Sequence, residues 1–234
     1  HRLPIVEDDY EKIKKTVLDA LENHDMLVIN AGSSAGTEDY TVHILREIGQ
    51  VVVHGVAMKP GKPVILAMVK GKPVIGLPGY PVSAYLAFEN FAVPVLRRLQ
   101  GETGAWAEPA GCRVQAVISR RMVSSLKHRE YVRVKVGKVG DKLVAAPLAR
   151  GAGAAMSLVR ADGFCVIPQN SEGYEAGETV EVELNKNLNE IENTLVSIGS
   201  HDMIMDVIGD MMASQYHNLF LSSTHVGSMG GLMA

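Results

Sequence analysis

The sequence has little cysteine, few aromatic residues and no dominant charge, and each shortage closes off a class of protein. Only two cysteines, Cys112 and Cys165, occur in 234 residues. They lie far apart and outside metal-ligand spacing, which excludes a disulfide framework and fits a reduced, cytoplasmic setting. The net charge of −3 leaves no basic footprint for nucleic acid. No apolar run reaches the ~20 residues needed to span a bilayer, so no membrane partner is expected. The eight histidines show no ligand spacing. Both the lysine-bearing P-loop and the GxGxxG dinucleotide fingerprint are absent. The chain opens His1-Arg2-Leu3-Pro4 into a charged helical segment, without a signal-peptide pattern and without an initiating methionine, as a fragment would. What remains is a chain with 47% hydrophobic residues, enough for a full core, and a length that suits two domains and part of a third.

Three blocks follow from the periodicity. In residues 1–104, Ile13, Val17, Leu18 and Leu21 recur at helical spacing. Met26 to Ile29 is a short apolar run of the kind found in buried parallel strands. A small-residue loop comes next, then a helix from about Glu38 to Ile48 with Gly49 as its C-cap. Strands are expected at Val51–Val53, Val64–Met68 and Val74–Leu77, the last two joined by Lys70-Gly71-Lys72. A long apolar helix from Pro81 to Leu99 is expected to kink at Pro94. This pattern predicts an α/β domain with a mostly parallel sheet layered with helices. Residues 111–184 carry short alternating strands with turn residues at Gly137, Gly140 and Asp141, and read as a small β-barrel-like domain containing both cysteines. Thr103 to Gly111 is the boundary between these blocks, and Asn185 to Asn189 a polar linker. Residues 190–234 read as one partial α/β unit: a strand at Thr194–Ile198, a helix at Met203–Met212 whose methionines are expected in a core, and a strand at Asn218–Leu221.

Chemistry concentrates in three loops of the first block. Asn30-Ala31-Gly32-Ser33-Ser34-Ala35-Gly36-Thr37-Glu38-Asp39-Tyr40 follows a strand and precedes a helix, so its amides and hydroxyls suit an anion. Read alone, it is more readily an ordinary turn with Thr37 as N-cap. Asp39 suits either the helix dipole or Mg²⁺, an ion that takes one or two carboxylates together with substrate phosphates. In Lys59-Pro60-Gly61-Lys62-Pro63 two cations flank a rigid Pro-Gly turn. In Leu77-Pro78-Gly79-Tyr80-Pro81-Val82-Ser83-Ala84, two prolines restrict the path and Ser83 falls near a helix start. Gathered at one rim of a sheet, these loops fit a phosphorylated ligand with a metal ion.

In this order, and with the β-domain behind them, the loops resemble the molybdopterin molybdotransferases, the MoeA and gephyrin-E family. The first loop follows Gly-Gly-x-Ser-x-Gly-x-x-Asp-Tyr with Ala31 replacing the first glycine. Lys-Pro-Gly-Lys-Pro is intact. The third loop matches Leu-Pro-Gly-Asn-Pro-Val-Ser-Ala except that Tyr80 stands where asparagine is usual. Arg129-Glu130-Tyr131-Val132-Arg133-Val134 and Ala161-Asp162-Gly163 carry the likeness into the β-domain, so that it covers about residues 1–184. The resemblance implies an enzyme of molybdenum cofactor biosynthesis. It would insert molybdate into adenylylated molybdopterin and release AMP, assisted by Mg²⁺. Asp39, Lys59 and Lys62 would be catalytic, with Asp39 also the metal ligand. Gly32, Ser34, Gly36, Pro78, Gly79, Tyr80, Pro81 and Ser83 would bind substrate. It implies a homodimer in the intact protein, and a fragment without the family's two N-terminal domains and Gly-Asp-Glu-Leu strand, so that activity is expected of the intact parent protein and not of this chain alone. A molybdopterin adenylyltransferase would instead carry a Gly-Gly-Thr-Gly loop and no β-domain. A non-catalytic scaffold or binding fragment is the alternative from another class. The third block resembles the start of a periplasmic-binding-protein-like domain, whose loops Gly199-Ser200-His201-Asp202 and Gly227-Ser228-Met229-Gly230-Gly231 would cradle molybdate or tungstate.

Overall fold

The computed structural model describes residues 1–30, 40–103, 112–148, 150–151, 155–200, 202–216, 219–225 and 227–229. The chain divides into two compact units, residues 1–108 with 151–155 and residues 109–150 with 156–234.

In the first unit, helix α1 (Tyr10–Asn23) begins where the Asp9 carboxylate accepts a hydrogen bond from the Lys12 amide at 2.9 Å. That bond satisfies an orphan donor of the first turn. Strand β1 (Leu27–Asn30), helix α2 (Tyr40–Ile48), strands β2 (Gln50–His54), β3 (Met58–Lys59), β4 (Ile65–Val69) and β5 (Lys72–Leu77) follow. Four of the strands form a sheet in the order β1-β5-β4-β2. Side chains alternate between its faces with the two-residue period of a strand. Leu27, Ile29, Ile65, Ala67, Val69 and Val74 pack with α1 and α2 on one side. Val28, Val64, Leu66, Ile75 and Leu77 pack on the other with the segment from Pro81 to Leu99. That segment is α3 (Pro81–Ala87), a π-helical turn over Phe88–Ala92, and α4 (Val93–Leu99). In the π turn the Val93 amide donates to the Phe88 carbonyl. The wider register precedes Pro94, which has no amide hydrogen to donate.

The sheet is mixed rather than mostly parallel. Strands β1 and β5 run parallel, whereas β4 is antiparallel to both β5 and β2. The cause is local: Lys70 and Gly71, both at positive φ, form a tight connection that returns the chain antiparallel, and parallel neighbours need a long crossover. Gly49 follows α2 without a left-handed φ. A side chain there would overlap the Met68 carbonyl of β4, so glycine permits the helix end to lie against the strand.

In the second unit, β6 (Arg113–Ile118), β7 (Met122–Val123), β8 (Arg129–Val139), β9 (Lys142–Pro147), α5 (Ala155–Arg160), β10 (Gly163–Ile167), β11 (Gly173–Tyr174) and β12 (Thr179–Leu184) follow in sequence. Strands β10, β12, β6, β9 and β8 pair in that order, and β8 closes back on β10. Closure leaves no free edge. Inward residues include Ile118, Val132, Val134, Val136, Ala145, Ile167 and Val182. Cys165 lies in this core, but Cys112 is exposed, because it precedes β6. Gly137 sits within β8 and not in a turn. The segment read as a linker is also structured: the Asn187 side chain caps α6 (Leu188–Glu192), and Leu188 and Ile191 pack against the barrel core.

Strands β13 (Thr194–Gly199) and β14 (Phe220–His225) are parallel and joined through α7 (Met203–Gln215), a βαβ unit as expected. The methionine-rich helix is not core. Met203 is 76% exposed, and Ile204, Val207, Ile208 and Met211 are also exposed. Gly209 turns toward Leu221 of β14. Among the described residues, two strands cover one side of the helix and its other apolar side is exposed.

Candidate functional site

The rim of the first unit's sheet is built by register. Asn30, the last residue of β1, is paired with Leu77, the last residue of β5, so the chain leaves both strands side by side. His54 at the end of β2 is paired with Ile65 at the start of β4, and Ile65 is paired with Gly76 near the end of β5. The connection from β2 to β4 therefore reaches the same rim. Within it, the Val56 amide donates to the Lys62 carbonyl at 2.8 Å and the Gly55 amide to the Val64 carbonyl at 2.9 Å. These bonds fold residues 56–62 into a closed turn, with a cis Lys59–Pro60 peptide and Gly61 at φ +110°.

Two of the three predicted loops meet here. A methyl group placed on buried Gly61 would stand 3.5 Å from the Ser83 carbonyl oxygen. The lysine turn thus abuts the first turn of α3, with Lys59 and Lys62 both exposed on it. Pro78 and Ser83 are buried, and Gly79, Tyr80 and Pro81 face solvent. Pro81 occupies the first turn of α3, where its fixed φ and missing N–H cost nothing. The Ala84 amide donates to the Tyr80 carbonyl at 2.8 Å, closing that turn. Burial raises the pKa of Tyr85 on the same helix, with a smaller contribution from the charge of Glu89.

Gly32, Ser34, Gly36 and Asp39 lie outside the described residues. Their loop connects Asn30 to Tyr40, so it departs from this rim. Tyr40 itself packs edge-on against Tyr10, with ring centroids 5.9 Å apart, and Tyr10 donates to Glu47 at 2.6 Å. Tyr40 therefore serves the contact between α1 and α2. Asn30, which the sequence places at the head of the anion loop, is the last residue of β1 and pairs with Leu77 in register.

Elsewhere, the two C-terminal loops also come together: Ser200 Oγ and Ser228 Oγ lie 2.7 Å apart. The Asp202 carboxylate accepts from the Ile204 amide at 2.9 Å, so the start of α7 is already served by an anion. His201, Gly230 and Gly231 lie outside the described residues.

Residues 1–98 match the family described as "Probable molybdopterin binding domain", and residues 115–184 match the "MoeA C-terminal region (domain IV)". The chain belongs to the MoeA family. A molybdopterin molybdenumtransferase of Bacillus subtilis is 30% identical over 182 residues, covering 76% of this chain and 41% of the relative. That of Haemophilus influenzae is 27% identical over 183 residues, covering 77% and 45%. Among solved structures, a MoeA molybdopterin biosynthesis protein from Pyrococcus horikoshii superposes with a TM-score of 0.62 at 37% identity, covering 78% of this chain and 42% of that one. This MoeA chain thus spans less than half the length of these relatives.

Proposed function

We propose that this chain binds a molybdopterin-type substrate at the sheet rim and takes part in inserting molybdate into adenylylated molybdopterin, with release of AMP. The observation that carries the reading is the meeting of the Lys59–Lys62 turn with the Pro78–Ser83 loop at the carboxyl ends of β1 and β5. Ligands of open α/β sheets sit at such ends. On this reading two lysines held by a rigid turn serve molybdenum cofactor biosynthesis, the role that membership of the MoeA family supports.

In the reaction as proposed, water cleaves the phosphoanhydride that joins AMP to molybdopterin. The two dithiolene thiols displace one molybdate oxygen, which leaves as water with their protons, so that molybdenum ends on the sulfurs with its oxidation state unchanged. Negative charge grows on the departing phosphate. Lys59 and Lys62 are compact cations that favour this charge without needing the bidentate fit of arginine. Pro78, Gly79, Tyr80 and Pro81 shape the wall against which the ring system lies, and Ser83 anchors that wall to the lysine turn. Gly32, Ser34 and Gly36 complete the proposal as the anion loop.

Mg²⁺ and Asp39 as its ligand also belong to the proposal. Among the described residues no group of three or more His, Cys, Asp or Glu is arranged to hold a metal. The described part of the rim offers cations and hydroxyls rather than carboxylates, and the ion, held by Asp39, would add positive charge beside the phosphates. A homodimer, as in the family resemblance, is part of the same reading.

Titration calorimetry of the chain with AMP, and then with molybdate, each with and without Mg²⁺, tests the site. Binding of AMP that weakens by about ten- to a hundredfold in Lys62→Ala supports it, the loss of a charge-assisted contact being worth about 1.5–3 kcal/mol. Absence of binding under every condition sinks the reading and leaves a scaffold role.

A further inference from the structure

The least expected residue at the rim is Tyr80. It is 65% exposed, although a large aromatic side chain gains stability by burial. It occupies the N-cap of α3, a position that favours Asn, Asp, Ser or Thr, and its side chain makes no capping hydrogen bond. Both local preferences therefore run against tyrosine here. Such conflicts between local preference and residue identity concentrate at functional sites.

The ring is also carried on a constrained backbone. Pro78 and Pro81 bracket it, and the Tyr80 carbonyl is fixed by the Ala84 amide at 2.8 Å. No ring contact involving Tyr80 is found among the described residues. The lysine turn meets the same loop at Ser83. A flat, exposed ring and a pair of cations thus share one rim.

Resting on the function proposed above, we propose that Tyr80 is a stacking platform for the planar heteroaromatic ring of a phosphorylated ligand, and so a specificity-determining residue of this site. The ligand class is a purine or pterin carrying a phosphate. The lysines take the charge and Tyr80 takes the ring. Stacking on an aromatic side chain needs a π face and little hydrogen-bond geometry, so one position serves either ring.

The test is calorimetric titration of the full chain with AMP, a pterin monophosphate, and ribose 5-phosphate as a ringless control. The variants are Tyr80→Phe, Tyr80→Leu and Tyr80→Asn. Tyr80→Phe is expected to bind the ring ligands as the parent chain does. Tyr80→Leu and Tyr80→Asn are expected to lose about tenfold in affinity for at least one ring ligand, within the range for a base–aromatic stack, and to leave ribose 5-phosphate unchanged. Which ring ligand weakens identifies the ring that Tyr80 reads. Asparagine is the better cap, so Tyr80→Asn is expected to stay folded, and its melting temperature checks this. Unchanged affinity for both ring ligands in Tyr80→Asn overturns the proposal while the anion site stands. Failure of the parent chain to bind any of the three compounds overturns the proposal and the function on which it rests.

Discussion

Gly61 lies beside the Ser83 carbonyl at ordinary contact distance, so the lysine turn rests on the start of α3, and it is the turn's left-handed backbone rather than this approach that calls for glycine. A methyl group on Gly61 would overlap Met58 Cε and stand 3.5 Å from the Ser83 carbonyl oxygen, at a φ of +110°. Methionine's flexible end can move aside, but the backbone conformation disfavours any Cβ. Gly61→Ala is therefore expected to destabilise the chain by about 1–3 kcal/mol. A urea unfolding midpoint equal to that of the parent chain would contradict the strained turn.

The two thiols are expected to behave as opposites. Cys112 is exposed, whereas burial in the barrel pushes the Cys165 thiol up to about 12. A thiol-specific reagent at pH 8 should modify one cysteine per native chain and both after denaturation. Linkage adds a pH effect. From pH 9 to 12 the unfolded thiol ionises while the folded one holds its proton, so this group's contribution to stability falls as pH rises. The slope is at most about 1.4 kcal/mol per pH unit. Cys165→Ala or Cys165→Ser should flatten that alkaline loss, and an unchanged slope would rule the thiol out as its source.

Most of the architecture was legible because it is written in short-range periodicity. The continuous apolar run Met26 to Ile29 reads as a buried strand, and the structure covers it on both faces, with Leu27 and Ile29 on one side and Val28 on the other. Strand direction was encoded too, but in Lys70-Gly71 rather than in the strands, and hydrophobicity alone does not reveal it. Lys59, Lys62 and Tyr80 stood out as loop chemistry, yet their meeting depends on the register of the β4–β5 hairpin, which sets Ile65 beside Gly76 and which hydrophobicity does not specify. The methionines of α7 were misleading for a physical reason. Apolar composition reports what a helix would bury, whereas the two strands beside it supply cover for one side only.

Gly137 makes a second close approach that is testable alone. A methyl group on it would overlap Val196 Cγ2, so β13 rests on β8 at a point where β8 has no side chain. Gly137→Ala is expected to loosen the C-terminal βαβ unit and leave the barrel intact. Hydrogen exchange should then speed up across residues 194–199 with little change at 163–167. Equal protection in both variants would mean that β13 tolerates the methyl group by a shift of Val196.

Asp162 provides the severest test of the barrel. Its buried carboxylate accepts from the Val136 amide at 2.9 Å, from Lys135 Nζ at 3.1 Å and from Lys186 Nζ at 2.8 Å. Asp162→Asn removes the charge both ammonium groups share and is expected to cost about 3 kcal/mol, at the low end for breaking a buried pair because Lys186 is partly in water. Burial lowers the pKa of Lys135, and the Asp162 charge opposes that. Without the carboxylate the folded-state value falls further below the unfolded 10.5. Between those two values the unfolded chain binds the extra proton, so stability rises with pH. The deficit of Asp162→Asn relative to the parent chain should therefore shrink as pH climbs toward 10.5. A deficit that stays constant from neutral pH to that point would assign the loss to the Val136 hydrogen bond rather than to the lysines.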